Sequence, residues 1–220
     1  MMHRFKTLKD HVYDYIAEQI LLGKLQPEEK INENAVCKEL SISRTPVREA
    51  LIQLASEGIL DNVPRKGFVV KNMTEKEAQE LYTIIGHLDG LSAALACPSL
   101  TDKEFTDMEF YIDSMELAIN VRNYGMYLTQ QKAFHQIYID KCGNDTLIEY
   151  IERLKNKFLK RVYIDDPMGK TAEILKDTNA EHRELLRLLK EGKGSEASRY
   201  LSEIHWASKN AHFDLMTVNN

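Results

Sequence analysis

Three histidines in the second half of the chain, His135, His182 and His205, are the side chains best suited to chemistry. Each lies near the middle of a separate predicted helix, beside apolar residues that would face the interior of a helical bundle. Neutral imidazole is a good ligand for Zn²⁺, Ni²⁺ and Fe²⁺, and bundles hold such ligands on facing helices. The pattern favours a divalent metal site, although a lone histidine of this kind is more often a hydrogen-bonded core or surface residue.

A short amphipathic helix is predicted from Ser43 to Leu54. Its apolar residues recur at i, i+4 and i+7 and should be buried: Val47, Leu51 and Leu54. Arg44 and Arg48 share another face near the helix start, where a cation gains nothing from the helix dipole. Ser43 or Thr45 can cap the first amides. The arginines therefore indicate an outside partner, and an ordinary solvated surface helix is the alternative.

The elements around this helix have the order of a winged helix-turn-helix. Helical spacing predicts a first helix over 8–22, Asn32 caps a second over 33–40, and a tight turn leads into the arginine-bearing helix. Two β-rich pieces, 59–62 and 68–71, then flank a basic turn. The tip of that turn is Arg65, Lys66 and Gly67, and it can reach a phosphate or the minor groove if it is more than a solvated hairpin.

Composition and charge favour a globular chain with two different halves. The 220 residues are 43% hydrophobic and 29% charged, which argues against long disorder. Residues 1–72 hold 11 basic and 10 acidic residues, and residues 73–220 hold 18 and 24, so the halves carry net charges of +1 and −6. A near-neutral first half is only weak evidence for nucleic-acid binding.

The cell compartment follows from the N-terminus, the hydropathy pattern and the cysteines. The first ten residues, MMHRFKTLKD, lack the apolar core of an export signal, and no segment has about eighteen uninterrupted apolar residues. Cys37, Cys97 and Cys142 are odd in number and lack metal-type spacing, which is typical of a reducing compartment. We expect a cytoplasmic protein that does not contact a membrane.

Strand signals stop after Asn72, and six helices are predicted beyond it: 74–97, 101–121, 124–142, 145–163, 171–191 and 195–216. The first should bury one apolar side: Leu81, Ile84, Ile85, Leu88, Leu91 and Leu95. Short loops between the helices predict an all-α bundle able to hold a ligand. The fold class is therefore mainly α, with a winged helix-turn-helix domain at 1–72 and a helical domain at 73–220.

Over nearly its whole length the chain resembles the GntR family of bacterial transcription regulators. Within that family it resembles the FadR-like branch, whose C-terminal half is the helical FCD domain. The most specific matching stretch is ELSISRTPVREALIQLASEGIL, residues 39–60, followed by the wing RKGFVV. In the second half AFHQIYIDKCGND, residues 133–145, and EHRELLRLL, residues 181–189, also match. The six-helix version resembles the VanR-type subgroup.

The resemblance implies a set of DNA contacts. In the family the two arginines of the SRTPVRE motif, here Arg44 and Arg48, contact bases or phosphates in the major groove, helped by Ser43 and Thr45. The wing glycine, here Gly67, lets backbone approach the minor groove. A position early in the second helix that is frequently basic in the family is Asn34 here.

The resemblance also implies an effector and metal site. The family's metal-binding members use three histidines, matched by His135, His182 and His205, and an Asp four residues before the first. Gln131 stands at that position and is a neutral, weaker ligand, so the alternatives are a site of three histidines with waters and a site that has given up its metal. Ile85 stands where many members carry an arginine that pairs with an effector carboxylate. His87 and Asp89 are the residues expected to line the pocket in its place. The expected effector is a small molecule such as an organic acid, and the expected metal is Zn, Ni or Fe.

The function expected from these features is a ligand-responsive regulator, and a repressor on family grounds, that binds a palindromic operator as a homodimer. The alternative is a three-histidine metalloenzyme with a DNA-binding appendage, in which Glu181 or Asp89 would act as the base. Because the sequence lacks a phosphate-binding loop and the common hydrolase motifs, we expect no enzyme activity. A purely protein-binding winged domain would leave Arg44 and Arg48 unexplained.

Overall fold

The computed structural model describes residues 6–157 and 169–215. They form two compact units, the first of residues 6–73 with 155–157 and the second of residues 74–154 with 169–215, so that the chain first passes between units at Met73 and Thr74. Three expectations lie outside the described residues: the end of the helix predicted to reach residue 163, its break at 165–167, and the approach to residue 216. In the described ranges no helix is both long and apolar enough to cross a bilayer.

The first unit is a three-helix domain with a β-hairpin, as predicted. Its helices are α1 (Leu8–Leu21), α2 (Glu33–Leu40) and α3 (Arg44–Ser56), and the hairpin is β1 (Leu60–Val63) with β2 (Gly67–Val70). The two strands are antiparallel. The side chain of Asn32 accepts a hydrogen bond from the amide of Ala35, so the predicted cap of the second helix is confirmed.

The core of the first unit forms where α1 and α3 pack together. Both helices contribute side chains that are fully removed from solvent: Val12, Ile16, Val47, Leu51 and Leu54. Phe68 and Val70 of the wing close the same cluster. At about 1.5–3 kcal/mol per fully buried aliphatic side chain, this burial stabilises the position of α3 and leaves its other face outward.

The second unit contains the six α-helices predicted from the sequence. They are α4 (Glu75–Ala96), α5 (Asp102–Asn120), α6 (Tyr124–Lys141), α7 (Asp145–Asn156), α8 (Lys170–Lys190) and α9 (Gly194–Tyr200). Thr74 and Thr101 each open a helix with a reciprocal capping box, formed with Glu77 and Glu104. The box at Thr74 satisfies two backbone amides, and at Thr101 the backbone amide donates to Glu104.

The last segment differs from the single helix predicted over 195–216. Helix α9 ends at Tyr200, a π-helical turn follows over Leu201–His205, and a 3₁₀ helix occupies Ser208–Leu215. A π turn inserts one extra residue into a helical turn and is common at functional sites. Apolar periodicity does not reveal such an insertion, because the residues on either side still look helical.

Helix α4 packs with a different face from the one predicted. Ile85 is fully buried as expected, but Ile84, Leu91 and Leu95 are 49%, 45% and 45% exposed. The helix carries apolar residues around most of its circumference, and the face that packs is the one with small residues: Ala78, Gly86, Gly90, Ala93 and Ala96. Small residues permit a closer helix contact than leucines do. The larger apolar residues on the other side of α4, Ile84, Leu91 and Leu95, therefore face outward.

Two glycines allow α9 and the π turn to approach α4 very closely. A Cβ atom added at Gly90 would lie 2.6 Å from the carbonyl oxygen of Ser198, and one added at Gly86 would lie 2.8 Å from Cβ of Trp206. Both distances are too short for a side chain. The glycines therefore bring Trp206 and the preceding His205 against the middle of α4.

Candidate functional site

The outward face of α3 carries the basic residues predicted to meet an external partner. Arg44, Thr45 and Arg48 are exposed, while the opposite face of the helix is buried. Nη2 of Arg44 donates a hydrogen bond of 3.0 Å to Oδ1 of Asn34, which is also exposed. Ser43 occupies the N-cap position of α3 without a side-chain cap bond, so its hydroxyl is not used by the helix start.

The wing tip has the shape expected of a basic hairpin. Arg65 and Lys66 are exposed, and Arg65 and Gly67 have φ values of +64° and +89°. A φ of this kind suits glycine, and the absence of a side chain leaves the backbone open to close approach. The tip therefore presents two cations beside accessible backbone.

The three predicted histidines converge inside the second unit. His135 of α6, His182 of α8 and His205 of the π turn offer nitrogen atoms that all lie within 4.8 Å of one another. They are 4%, 0% and 8% exposed. The Nε2 atoms of His135 and His182 are 3.2 Å apart. We refer to these three residues as the histidine triad.

Asp89 of α4 contacts His135 and Tyr138 lies beside them. Oδ2 of Asp89 lies 3.2 Å from Nδ1 of His135, and the hydroxyl of Tyr138 lies 2.5 Å from the same nitrogen. Burial, together with the negative charge and hydrogen bonding of Asp89, raises the pKa of Tyr138 well above its usual value, so the phenol keeps its proton. In its Nδ1–H tautomer, His135 donates toward these oxygens and keeps a lone pair on Nε2.

Glu181 of α8 acts on His205 in the same way. Its Oε2 atom lies 2.8 Å from Nδ1 of His205, so this nitrogen also carries a proton and Nε2 is free to accept. The short contact between Nε2 of His135 and Nε2 of His182 is within hydrogen-bond distance, with a proton on one of the two nitrogens. Two of the three rings thus present ligand nitrogens fixed by carboxylates.

Aromatic side chains enclose the triad. The ring centroid of Phe134 is 4.8 Å from that of His182, and the centroid of Trp206 is 5.7 Å from that of His205. Phe134 is fully buried and Trp206 is 4% exposed. Water is therefore largely excluded from these faces of the imidazoles, and electrostatic interactions within the site are strengthened.

The other expected pocket residues occupy different environments. Gln131, one helical turn before His135, is buried at 7% exposure, and Ile85 is fully buried. Asp89 is also fully buried and contacts the triad through His135. The prediction for His87 was wrong: it is exposed, and its Nδ1 atom lies 2.8 Å from the carbonyl oxygen of Thr83. Residues 87 and 89 are two apart on a helix and therefore point in nearly opposite directions.

Trp206 was not identified from the sequence as a site residue. Its Nε1–H group donates a 2.7 Å hydrogen bond to Oδ2 of Asp89. The signal that was available is that it is the only tryptophan of the chain and immediately follows His205. Its contact with Asp89 spans 117 residues, which no local pattern reveals.

The triad fits a divalent transition metal. Three imidazoles with one open coordination position form a common zinc donor set, and a carboxylate on the second nitrogen of a ligating histidine is a recurrent feature of such sites. Gln131, in place of the expected Asp, offers only a neutral donor. The carboxylates of this site, Asp89 and Glu181, contact the histidines and are placed to compensate a bound cation.

A winged helix-turn-helix joined to an all-helical ligand-binding unit defines the class of ligand-responsive transcription regulators. The chain belongs to the GntR family: residues 8–70 match the bacterial regulatory proteins of that family, and residues 80–205 match the FCD domain. The family and the relatives that match are transcription regulators, and the metalloenzyme alternative finds no support among them.

Individual relatives agree with this assignment. The chain is 29% identical over 145 residues to the "Uncharacterized HTH-type transcriptional regulator YdhC" of Bacillus subtilis, covering 66% of this chain and 65% of that protein. It is 28% identical over 137 residues to the gluconate operon transcriptional repressor of Bacillus licheniformis, covering 62% and 56%. Each alignment spans less than two thirds of the relative. The structure of McbR/YncC from E. coli has the same fold, with a TM-score of 0.77, 22% identity and coverage of 91% and 94%.

The geometry predicts that metal binding depends on the triad. Protein stripped with a chelator should bind about one equivalent of Co²⁺ and develop visible absorption, and His182→Gln should weaken this affinity by more than about 100-fold, beyond the about 10- to 100-fold cost of losing a second-shell partner. His87→Gln is the matched control, since His87 is exposed. Equal Co²⁺ affinity of wild type and His182→Gln would contradict the site.

Proposed function

We propose that the chain is a cytoplasmic repressor that binds a palindromic operator as a homodimer and responds to a small molecule. In this proposal residues 1–72 form the DNA-binding domain, and residues 73–220 form the domain for dimerisation and effector binding. A divalent metal at the histidine triad belongs to the effector site. The observation that carries the DNA-binding role is the exposure of Arg44 and Arg48 on a helix whose opposite face is fully buried.

The arginines of α3 have the chemistry for base recognition. Arginine can donate to O6 and N7 of guanine together, which is worth about 1–3 kcal/mol of discrimination. Asn34 holds the guanidinium of Arg44 by a hydrogen bond, so Asn34 takes part by orienting an arginine as well as through its own amide. Ser43 and Thr45 contribute hydroxyls to the same surface, and Arg65, Lys66 and Gly67 extend it through the wing.

A homodimer is supported by a stripe of large apolar residues along α4, which we call the leucine stripe. Ile84, Leu88, Leu91 and Leu95 are spaced four, three and four residues apart, as in a helix seam that packs against another helix. Three of the four are about half exposed, and Leu88 is half-buried. A twofold axis through this seam would pair two winged domains, as a palindromic operator requires because one recognition helix reads only a few base pairs.

The effector site is proposed at the triad. A bound divalent ion would supply an open position for an anionic oxygen, which favours a small organic acid as effector. One relative is named a gluconate operon repressor. The effector would change operator affinity by binding more tightly to one arrangement of the dimer than to another.

Removing one arginine tests the DNA-binding surface. A duplex selected from a random library by the wild-type protein should be palindromic, and Arg48→Ala should lose at least about tenfold in affinity for it, because each half-site loses a contact worth about 1–3 kcal/mol. Fluorescence anisotropy measures the affinity, and thermal unfolding should be unchanged. Arg199→Ala, an exposed arginine of α9, is the control. Wild-type affinity in Arg48→Ala would refute the proposal.

A charge placed in the leucine stripe tests the dimer. Leu91→Glu should shift the protein from dimer to monomer in analytical ultracentrifugation, because a buried unpaired carboxylate costs several kcal/mol. Leu8→Glu, at a 58% exposed apolar residue of α1, should leave the dimer intact. A dimer that survives Leu91→Glu at the same concentration would place the interface elsewhere.

A further inference from the structure

Asp89 combines features that go beyond those of an ordinary buried acid. It is fully buried in the middle of α4, and its Oδ2 atom is within hydrogen-bond distance of both Trp206 Nε1 and His135 Nδ1. The hydroxyl of Tyr138 lies 2.5 Å from the same nitrogen of His135. One side chain thus connects α4, α6 and the residue that follows the π turn.

A purely structural role for Asp89 would require only that its oxygens be satisfied. The observed contacts go beyond this requirement, because a single oxygen, Oδ2, contacts both Nδ1 of His135 and the indole N–H of Trp206. Any change in the charge or orientation of His135 therefore acts on the acceptor atom that holds Trp206. Hydrogen bonds that share an atom in a buried network are mutually dependent.

We propose that Asp89 is the positioning residue of the histidine triad: it keeps His135 in its Nδ1–H form, with Nε2 turned toward the other histidines, and transmits the state of the triad to α4 and Trp206. This inference rests on the proposed effector and metal site. Its first part concerns the protein without any ligand and can be tested separately.

Glu181 is a weaker candidate for this transmitting role. Its side chain is 22% exposed, and among the bonds of the described residues it reaches only His205 of the triad. It also lies next to His182 on α8, so it connects α8 only to the π turn. Asp89 lies on α4, which begins two residues after the unit boundary, and is the carboxylate through which that helix contacts the triad.

Trp206 provides the readout. It is the only tryptophan in the sequence, so the indole N–H resonance and the tryptophan fluorescence arise from one residue beside Asp89. A change in the bond to Asp89 alters the indole ¹H and ¹⁵N shifts directly. No engineered probe is needed.

The test uses full-length, chelator-treated protein labelled with ¹⁵N-histidine and ¹⁵N-tryptophan. In wild type, His135 should show a protonated Nδ1 and an unprotonated Nε2, and in Asp89→Asn the Nε2–H form should become populated. Adding Zn²⁺ to wild type should shift the indole N–H of Trp206. In Asp89→Asn the Zn²⁺ affinity should fall by about 10- to 100-fold, the usual effect of losing a second-shell partner. Asp113→Asn, an exposed carboxylate paired with Arg183, should match wild type in every measurement.

The outcomes separate this inference from the proposed function. An Nε2–H form of His135 in wild type, or a wild-type tautomer and Zn²⁺ affinity in Asp89→Asn, would overturn the inference. Failure of wild type to bind Zn²⁺ would remove the metal from the proposed function and, with it, the transmission through Asp89, but the tautomer measurement would still decide the positioning role. If Asp89→Asn does not fold, the wild-type tautomer decides alone.

Discussion

The burial of three imidazoles and a carboxylate inside an apolar helical bundle is the constraint on which the second unit depends. A buried polar group without a hydrogen bond costs about 1–3 kcal/mol, and a buried charge costs more. Asp89 accepts a hydrogen bond from Trp206 and lies within hydrogen-bond distance of Nδ1 of His135. The network therefore has a narrow choice of ring orientations, and it turns the Nε2 atom of His135 toward His182.

Backbone features make that network possible. Gly86 and Gly90 let the end of the chain approach α4 closely, and the π turn changes the helical register just before Trp206. In a regular helix neighbouring residues are about 100° apart and rarely face the same interior. Here His205 and Trp206 are both buried and both contact the site. The two glycines and the π turn are therefore needed to bring His205 and Trp206 to the site.

The sequence predicted most of the architecture and part of the site. The buried face of α3, the Asn32 cap of α2 and the six helices were correct because they depend on local periodicity and local hydrogen bonds. The convergence of the triad was also correct, since each histidine lies on an inward helical position. The π turn, the outward leucines of α4 and the bond between Asp89 and Trp206 were missed. They depend on which faces pack together, and residues far apart in the chain decide that.

The central claim is that the state of the triad is coupled to DNA binding, and thermodynamic linkage tests it most directly. Operator affinity of the full-length protein is measured by anisotropy with and without saturating Zn²⁺, and Zn²⁺ affinity is measured with and without operator. Operator affinity and Zn²⁺ affinity should change by the same factor, about 5- to 150-fold, because coupling between two sites is reciprocal. Zn²⁺ that binds at the triad and leaves operator affinity unchanged would contradict it.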